Sequence, residues 1–330
     1  MSAGGRHGVV CAGCWTADRI KRIDAWPEQD TLARIERIDR HGGGSAHNVG
    51  HDLKRLQPEL PVEAIGLLGN DSDGDFLFTG ARKAGMDVTQ LHRSDTVQTS
   101  FTDVMSVAGS GRRTFFHHAG ANDALTPDHI DLAATRGRML HLGLVGLHAV
   151  LDAPWQQEAN GWAAVLSRAQ RLGLHTNLEL VSIEPARLRR LALPCLAHLD
   201  TLIVNDHEIG ALSERRTVQD GVTDVVACER AARDVLSMGA MRLVVVHWPR
   251  GALAITREGA LHRCDSEAVP PERILGAVGA GDAFAAGVLL TLHDGGGIDA
   301  AMQLGHRAAA DSLLCADAVS GVRATGMSPF

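Results

Sequence analysis

The chain has 330 residues, 45% hydrophobic and 22% charged, with 32 basic and 39 acidic side chains and a net charge of −7. This balance suits a folded chain with a sizeable core and excludes intrinsic disorder, a collagen-like repeat and a coiled coil; it gives no overall attraction to nucleic acid or to an anionic membrane surface. No apolar run approaches the roughly 20 residues that span a bilayer, and no secretory leader pattern opens the chain.

In chain order, residues 7–13, 62–68, 138–144, 201–204 and 243–247 are short apolar runs that read as buried strands. Helical patterns alternate with them. Residues 45–56 follow a glycine turn. Thr126-Pro127 reads as N-cap and first position of another helix. Residues 224–238 put Val225, Cys228, Ala232 and Val235 on one face and stop at Gly239, a natural residue beyond a helix end. Alternating strands and helices predict a doubly wound α/β fold, a mostly parallel sheet covered on both faces. Two stretches break the alternation. Residues 19–39 mix charges with isolated Ile and Leu, and residues 97–118 show period-2 patterning around a Gly109-Ser110-Gly111 turn. They predict a small β lid, about 15–42 and 96–119, over the edge where open α/β sheets bind ligands. No linker divides the chain, which reads as one domain over 1–330.

Six cysteines, at 11, 14, 195, 228, 264 and 315, lie mostly in apolar stretches and point to a reducing, cytoplasmic setting. Cys11 and Cys14 form a C-x-x-C with no second half, so strand packing is the favoured reading. Only Lys21, Lys54 and Lys83 are lysines, and none follows a G-x-x-x-x-G run, which excludes a Walker-type P-loop.

The most informative stretch is Gly279-Ala280-Gly281-Asp282 and the apolar run after it. Small residues let backbone N–H groups approach an anion at a helix N-terminus. A carboxylate beside that anion can take a proton from an incoming hydroxyl, as phosphoryl transfer requires. A second stretch, Gly42-Gly43-Gly44-Ser45-Ala46-His47-Asn48, lets backbone crowd a small polar ligand while Asn48 offers both a donor and an acceptor.

Together with Ile65 to Gly74, these motifs resemble the two signatures of the PfkB, or ribokinase-like, carbohydrate kinases, and the resemblance spans nearly the whole chain. It implies a ribokinase-like three-layer α/β/α fold and an ATP- and Mg2+-dependent kinase. Asp282 would be the catalytic base and Gly279, Ala280 and Gly281 the anion hole. Asp18, at the end of the first strand, would hold sugar hydroxyls with Gly43, Gly44 and Asn48. Asn205 and Glu208, an N-x-x-E element, would organise the nucleotide phosphates and Mg2+, Glu208 largely through water. Adenine would sit near Gly251 and residues 306–311. Gly276 and Ala277 stand where many relatives carry Asp and Thr, so the side-chain oxygens for an activating monovalent cation are missing.

Asp103 interrupts an apolar lid face, so it either pairs with an Arg or binds substrate hydroxyls; it is carried as a substrate-binding candidate. Arg112 and Arg113 could reach a phosphate on a phosphosugar but, beside a Gly-Ser-Gly turn, read as solvated; His117 and His118 point to opposite lid faces, and Trp155 and Trp162 read as sharing one helix face. The acceptor class is a small sugar or polyol. A nucleoside kinase with bases stacked on Phe115 or Phe116 is the alternative, then a non-catalytic sensor. A dehydrogenase is remote, for want of a glycine fingerprint on the first strand. A homodimer through the lid is expected from its open edge.

Overall fold

The computed structural model describes residues 5–108 and 112–327; the expected Gly109-Ser110-Gly111 turn lies outside them. The strands are β1 (Val9–Gly13), β2 (Thr16–Ile23), β3 (Ile35–Gly43), β4 (Val62–Gly69), β5 (Asp87–Ser94), β6 (Phe101–Val107), β7 (Arg113–His118), β8 (Met139–Val145), β9 (His175–Leu180), β10 (Thr201–Asn205), β11 (Val218–Gln219), β12 (Val222–Thr223), β13 (Leu243–Trp248), β14 (Gly251–Thr256) and β15 (Leu261–Asp265). The helices are α1 (Ser45–Leu56), α2 (Ser72–Lys83), α3 (Ala121–Ala124), α4 (Ala149–Asp152), α5 (Gly161–Arg171), α6 (Pro185–Ala192), α7 (Asp206–Ser213), α8 (Val225–Met238), α9 (Ala280–His293) and α10 (Ile298–Ser312).

Nine strands form the main sheet in the order β15-β14-β13-β10-β9-β8-β1-β4-β5. From β13 to β5 all neighbours run parallel; β14 and β15 are antiparallel additions at one edge. Along β1 the alternation of side chains decides the layers. Val10 and Ala12 join the core under α5 and α8, whereas Val9 and Cys11 join the one under α1 and α9. A strand buried on both faces needs an unbroken apolar run, which is what residues 9–12 supply. The chain leaves β1 toward β4 and β5 on one side and later fills β8, β9 and β10 on the other, so the order reverses between β1 and β8. Ligand crevices of open α/β sheets form at such a reversal.

A separate four-stranded sheet, in the order β3-β2-β6-β7, comes from the two stretches that broke the alternation. Its register aligns His41, Asp18, Thr102 and His117 in one cross-strand row and Asp39, Ile20, Val104 and Phe115 in the next.

Several local expectations are corrected. The first strand ends at Gly13, and Asp18 belongs to β2, because the chain turns from the main sheet into the small one within two residues. Thr126-Pro127 starts a three-residue 3-10 turn, closed by a capping box with His129, rather than a helix. Gly239 ends α8 in an extended conformation, so its left-handed freedom is not used. Trp155 lies in a loop bridged to Glu158 and only Trp162 is helical, so the two do not share a helix face.

Candidate active site

The turn from β3 into α1 and the start of α9 meet at the reversal point. Gly43 ends β3 directly against Asp18: a Cβ there would lie 2.5 Å from Asp18 Oδ2, so only glycine lets this carboxylate fold against the turn. One turn into α1, the buried Asn48 donates from Nδ2 to Asp282 Oδ2 at 2.8 Å. Two motifs far apart in sequence are thereby joined by a single hydrogen bond.

Gly279 precedes α9 with φ of 83°, a left-handed conformation that favours glycine, and no side chain caps the helix. The N–H groups of Gly281 and Asp282 have no backbone carbonyl partner among the described residues. At position 281 a Cβ would meet only His247, at 3.5 Å, so internal packing does not demand a glycine and the space above it is open. An open helix N-terminus of this kind attracts an anion. Asp282 itself is half-buried beside it.

The electrostatics are those of a carboxylate-rich cleft. Burial pushes Asp282 well above the usual carboxylate range, with Glu179 adding to the rise, while the Asn48 amide opposes it. Burial also pushes Asp18 up to about 6, partly offset by the Thr102 hydroxyl and by His41. His41 Nδ1 lies 4.0 Å from Asp317 Oδ2. A cavity of about 120 Å3 opens between the small sheet and the segment after α10, with Asp18, His41, Thr102 and Asp317 as its polar wall and Ile20, Val104, Phe115 and Val278 as its apolar wall.

Asn205 and Glu208 sit at the end of β10 and the start of α7. Asn205 Oδ1 accepts from Glu208 N at 2.8 Å, and Glu208 Oε2 accepts from Asn205 N at 3.1 Å, a closed capping box. Ser182 Oγ ties both side chains together. Burial pushes Glu208 up to about 7.

Gly251 opens β14 opposite Trp248. Its neighbours Trp248, Arg250 and Ala252 line a cavity of about 480 Å3 together with Thr223, Val225 and Cys264. His306 meets Phe284 edge-on with ring centroids 4.9 Å apart, and His247 lies tilted against the same ring, also at 4.9 Å. Asp311, at the other end of the expected adenine segment, is instead fully buried and accepts from Arg323 Nε at 2.9 Å. It ties α10 to the chain's last turn and does not face that cavity.

Asp103 is corrected. Thr102 and Val104 face the Asp18 cavity, so strand alternation turns Asp103 to the other side of the small sheet, where Lys21 Nζ lies 2.7 Å from it. Arg113, expected in solvent, lines the Asp18 cavity. His117 stands on the Asp18 face, 3.1 Å from Thr102 Oγ1, while His118 packs against Phe101 at 5.0 Å. Glu179 and His141 were missed by sequence reasoning. The signal was there: His175, Asn177 and Glu179 alternate along β9, a polar face inside a buried strand, and the same alternation hid the strand.

A profile of pfkB family carbohydrate kinases matches residues 7–324. Among curated proteins, the chain is 29% identical over 299 residues to an ATP-dependent ribose-1-phosphate kinase of Halopiger xanaduensis, covering 89% of this chain and 88% of that one. It is 25% identical to the ketohexokinase of Mus musculus, covering 90% and 93%. Among solved structures, an Arabidopsis thaliana ribokinase complexed with ribose and ATP superposes with a TM-score of 0.80 at 16% identity, covering 97% and 96%. A PfkB protein from Polaromonas superposes at 0.73 with 22% identity, covering 96% and 99%. The fold is therefore ribokinase-like. This chain belongs to the pfkB family of carbohydrate kinases, ATP-binding phosphotransferases that act on an alcohol group. Among the described residues, no helix is long and apolar enough to cross a membrane.

Proposed function

We propose that the chain, acting as one kinase domain over 1–330, transfers the γ-phosphoryl group of ATP to a hydroxyl of a small sugar or sugar-like polyol in the cytoplasm. The observation that carries this reading is the bond from Asn48 to Asp282, which sets a carboxylate beside the uncapped start of α9. Asp282 is the base: it takes the proton of the acceptor hydroxyl as that oxygen bonds to phosphorus. The anion hole expected from Gly279, Ala280 and Gly281 shifts by one residue: Ala280 N–H is turned to the Ala277 carbonyl, and the open N–H groups of Gly281 and Asp282 receive the charge on the transferring phosphoryl group. Asp18, Gly43, Gly44 and Asn48 hold the remaining hydroxyls, and closure of the small sheet, the lid over about 15–42 and 96–119, keeps water from competing as acceptor.

Asn205 and Glu208 supply hard oxygens next to the phosphate path, so the donor chemistry fits magnesium. Both Glu208 oxygens are engaged at short range, which suits holding the ion through its bound waters. Bound there, magnesium would neutralise charge on the nucleotide phosphates. The main chain near Gly251 and the ring of His306 would flank adenine. Gly276 and Ala277 offer no side-chain oxygen, so exchanging potassium for a large organic cation should leave turnover unchanged. Ile38 and Phe116, the latter stacked by Trp26, expose apolar surface on the lid face turned away from Asp18, which favours a second copy as partner.

A second reading, a nucleoside acceptor, is favoured by the apolar wall of Ile20, Val104 and Phe115 next to Asp18. A panel of sugars, polyols, phosphosugars and nucleosides assayed for ADP release tests both. Turnover on a free sugar or polyol supports the first, a nucleoside preference the second, and turnover on no hydroxyl acceptor overturns the kinase assignment.

A further inference from the structure

The small sheet orders its polarity in rows. On the face that bears Asp18, the row of Asp18 and Thr102 is followed by that of Ile20, Val104 and Phe115. Two residues further out the register aligns Arg37, Arg22, Ser106 and Arg113. Side chains two apart on a strand share a face, and such rows are spaced by roughly 7 Å. The face therefore runs from groups that can hold hydroxyls, through an apolar band, to three arginines.

Two of the three are already paired. Arg37 Nε lies 2.8 Å from Asp39 Oδ2, and Arg22 Nε lies 3.3 Å from Glu36 Oε2. Arg113 differs: no hydrogen bond or ion pair joins its guanidinium to another described residue. It is nevertheless half-buried and lines the Asp18 cavity beside Phe115, Val278 and Ala318. Asp317, a carboxylate of the same cavity, is engaged elsewhere. Its Oδ1 accepts from Val319 N at 3.0 Å and Ser320 N at 2.7 Å, and its Oδ2 faces His41. A cation kept among apolar side chains without a counter-charge is a cost that an anionic ligand offsets.

We propose that the acceptor is a sugar or polyol that already carries an oxyanion, a phosphate or a carboxylate, and that Arg113 selects it. This rests on the kinase reading of the site. The reacting hydroxyl lies at Asp18 and Asp282, the carbon chain along Ile20, Val104 and Phe115, and the oxyanion at Arg113. A guanidinium presents paired N–H groups that match two oxygens of a phosphate or carboxylate at once. The transfer itself is unchanged: the hydroxyl proton passes to Asp282, the acceptor oxygen bonds to phosphorus, and the bond to the ADP oxygen breaks with its electron pair leaving on ADP. The oxyanion forms no bond, so the product carries it together with the new phosphate. A nucleoside, being uncharged, would leave Arg113 without a counter-charge.

The test compares charged with uncharged acceptors. Ribose, fructose and glucose are assayed for ADP release beside their terminal phosphate esters and gluconate, with adenosine as an uncharged nucleoside. In the native chain kcat/KM should favour the best anionic acceptor over its uncharged parent by ~100-fold. A lead for an ester identifies the oxyanion as phosphate and a lead for gluconate as carboxylate; either supports the proposal. Arg113→Met should remove most of that margin through the acceptor KM, with ATP KM and kcat on the uncharged parent changed less than ~3-fold. Arg113→Lys, which keeps the charge and loses the fork, should restore part of it. Arg22→Met, in the same row, should leave the margin in place.

Uncharged acceptors used as well as anionic ones overturn the proposal in the native chain, with no variant needed. So does a margin that survives Arg113→Met, or one that Arg22→Met lowers as much. Turnover on no acceptor of either kind would instead overturn the kinase reading, so the two failures are told apart.

Discussion

Two helices, α7 and α9, each present their N-terminus to the candidate site, and the chain treats them in opposite ways. At α7 the Asn205 and Glu208 side chains close the first turn reciprocally, and Ser182 braces both. At α9 a left-handed glycine starts the helix, no side chain caps it, and the N–H groups of Gly281 and Asp282 are left without a backbone carbonyl partner among the described residues. Capping removes orphan donors and stabilises a helix by ~1 kcal/mol, so leaving it out is a cost that an anionic ligand can offset. The closed corner therefore acts as a scaffold that touches ligand indirectly, and the open one meets the reacting phosphate.

The contrast can be broken by substitution, and the largest effect is expected at the open corner. Asp282→Asn should lower kcat by ~1000-fold, within the range for loss of a general base, while ATP binding, followed by calorimetry, persists. Gly281→Val should fill the space above α9 and cut turnover by ~100-fold with little change in melting temperature, because only His247 stands near the new Cβ. A large loss of stability in that variant would mean that the glycine serves packing instead.

On the wall of the open corner, Asp18 must be ionised to accept acceptor hydroxyls. Its folded-state value is raised to about 6, so the ionised form is lost as pH falls through that value and retained above it. Acceptor KM should then climb by up to ~10-fold per pH unit below that point, while ATP KM stays flat. A KM for acceptor that does not rise on acidification would remove Asp18 from the acceptor site. At the closed corner Asn205→Ala should cost ~1 kcal/mol of stability, read as a lowered midpoint in denaturant, with a smaller effect on kcat than either substitution at α9.

Much of the main sheet was legible from the order of residues alone. Residues 9–12 and 243–246 are apolar without interruption because both faces of their strands are covered, and such runs carry their own signal. The small sheet was legible for the opposite reason, since period-2 alternation in residues 101–107 reflects a sheet with two different faces. β9 escaped notice because His175, Asn177 and Glu179 put polar groups into a buried strand, where local patterning argues against burial. The face of Asp103 was readable as an alternation, but its partner was not: Lys21 comes from another strand, and register alone brought them together.

By itself the sequence determined the class of fold, the glycine turns, and the identity of the carboxylate at the start of α9, because these rest on backbone geometry and on neighbours within one element. Only the tertiary structure decided which groups surround that carboxylate. Asn48, Glu179 and Asp18 reach Asp282 from α1, β9 and β2, and the physical reason is that electrostatic coupling and hydrogen bonding depend on distances in space that no local pattern encodes.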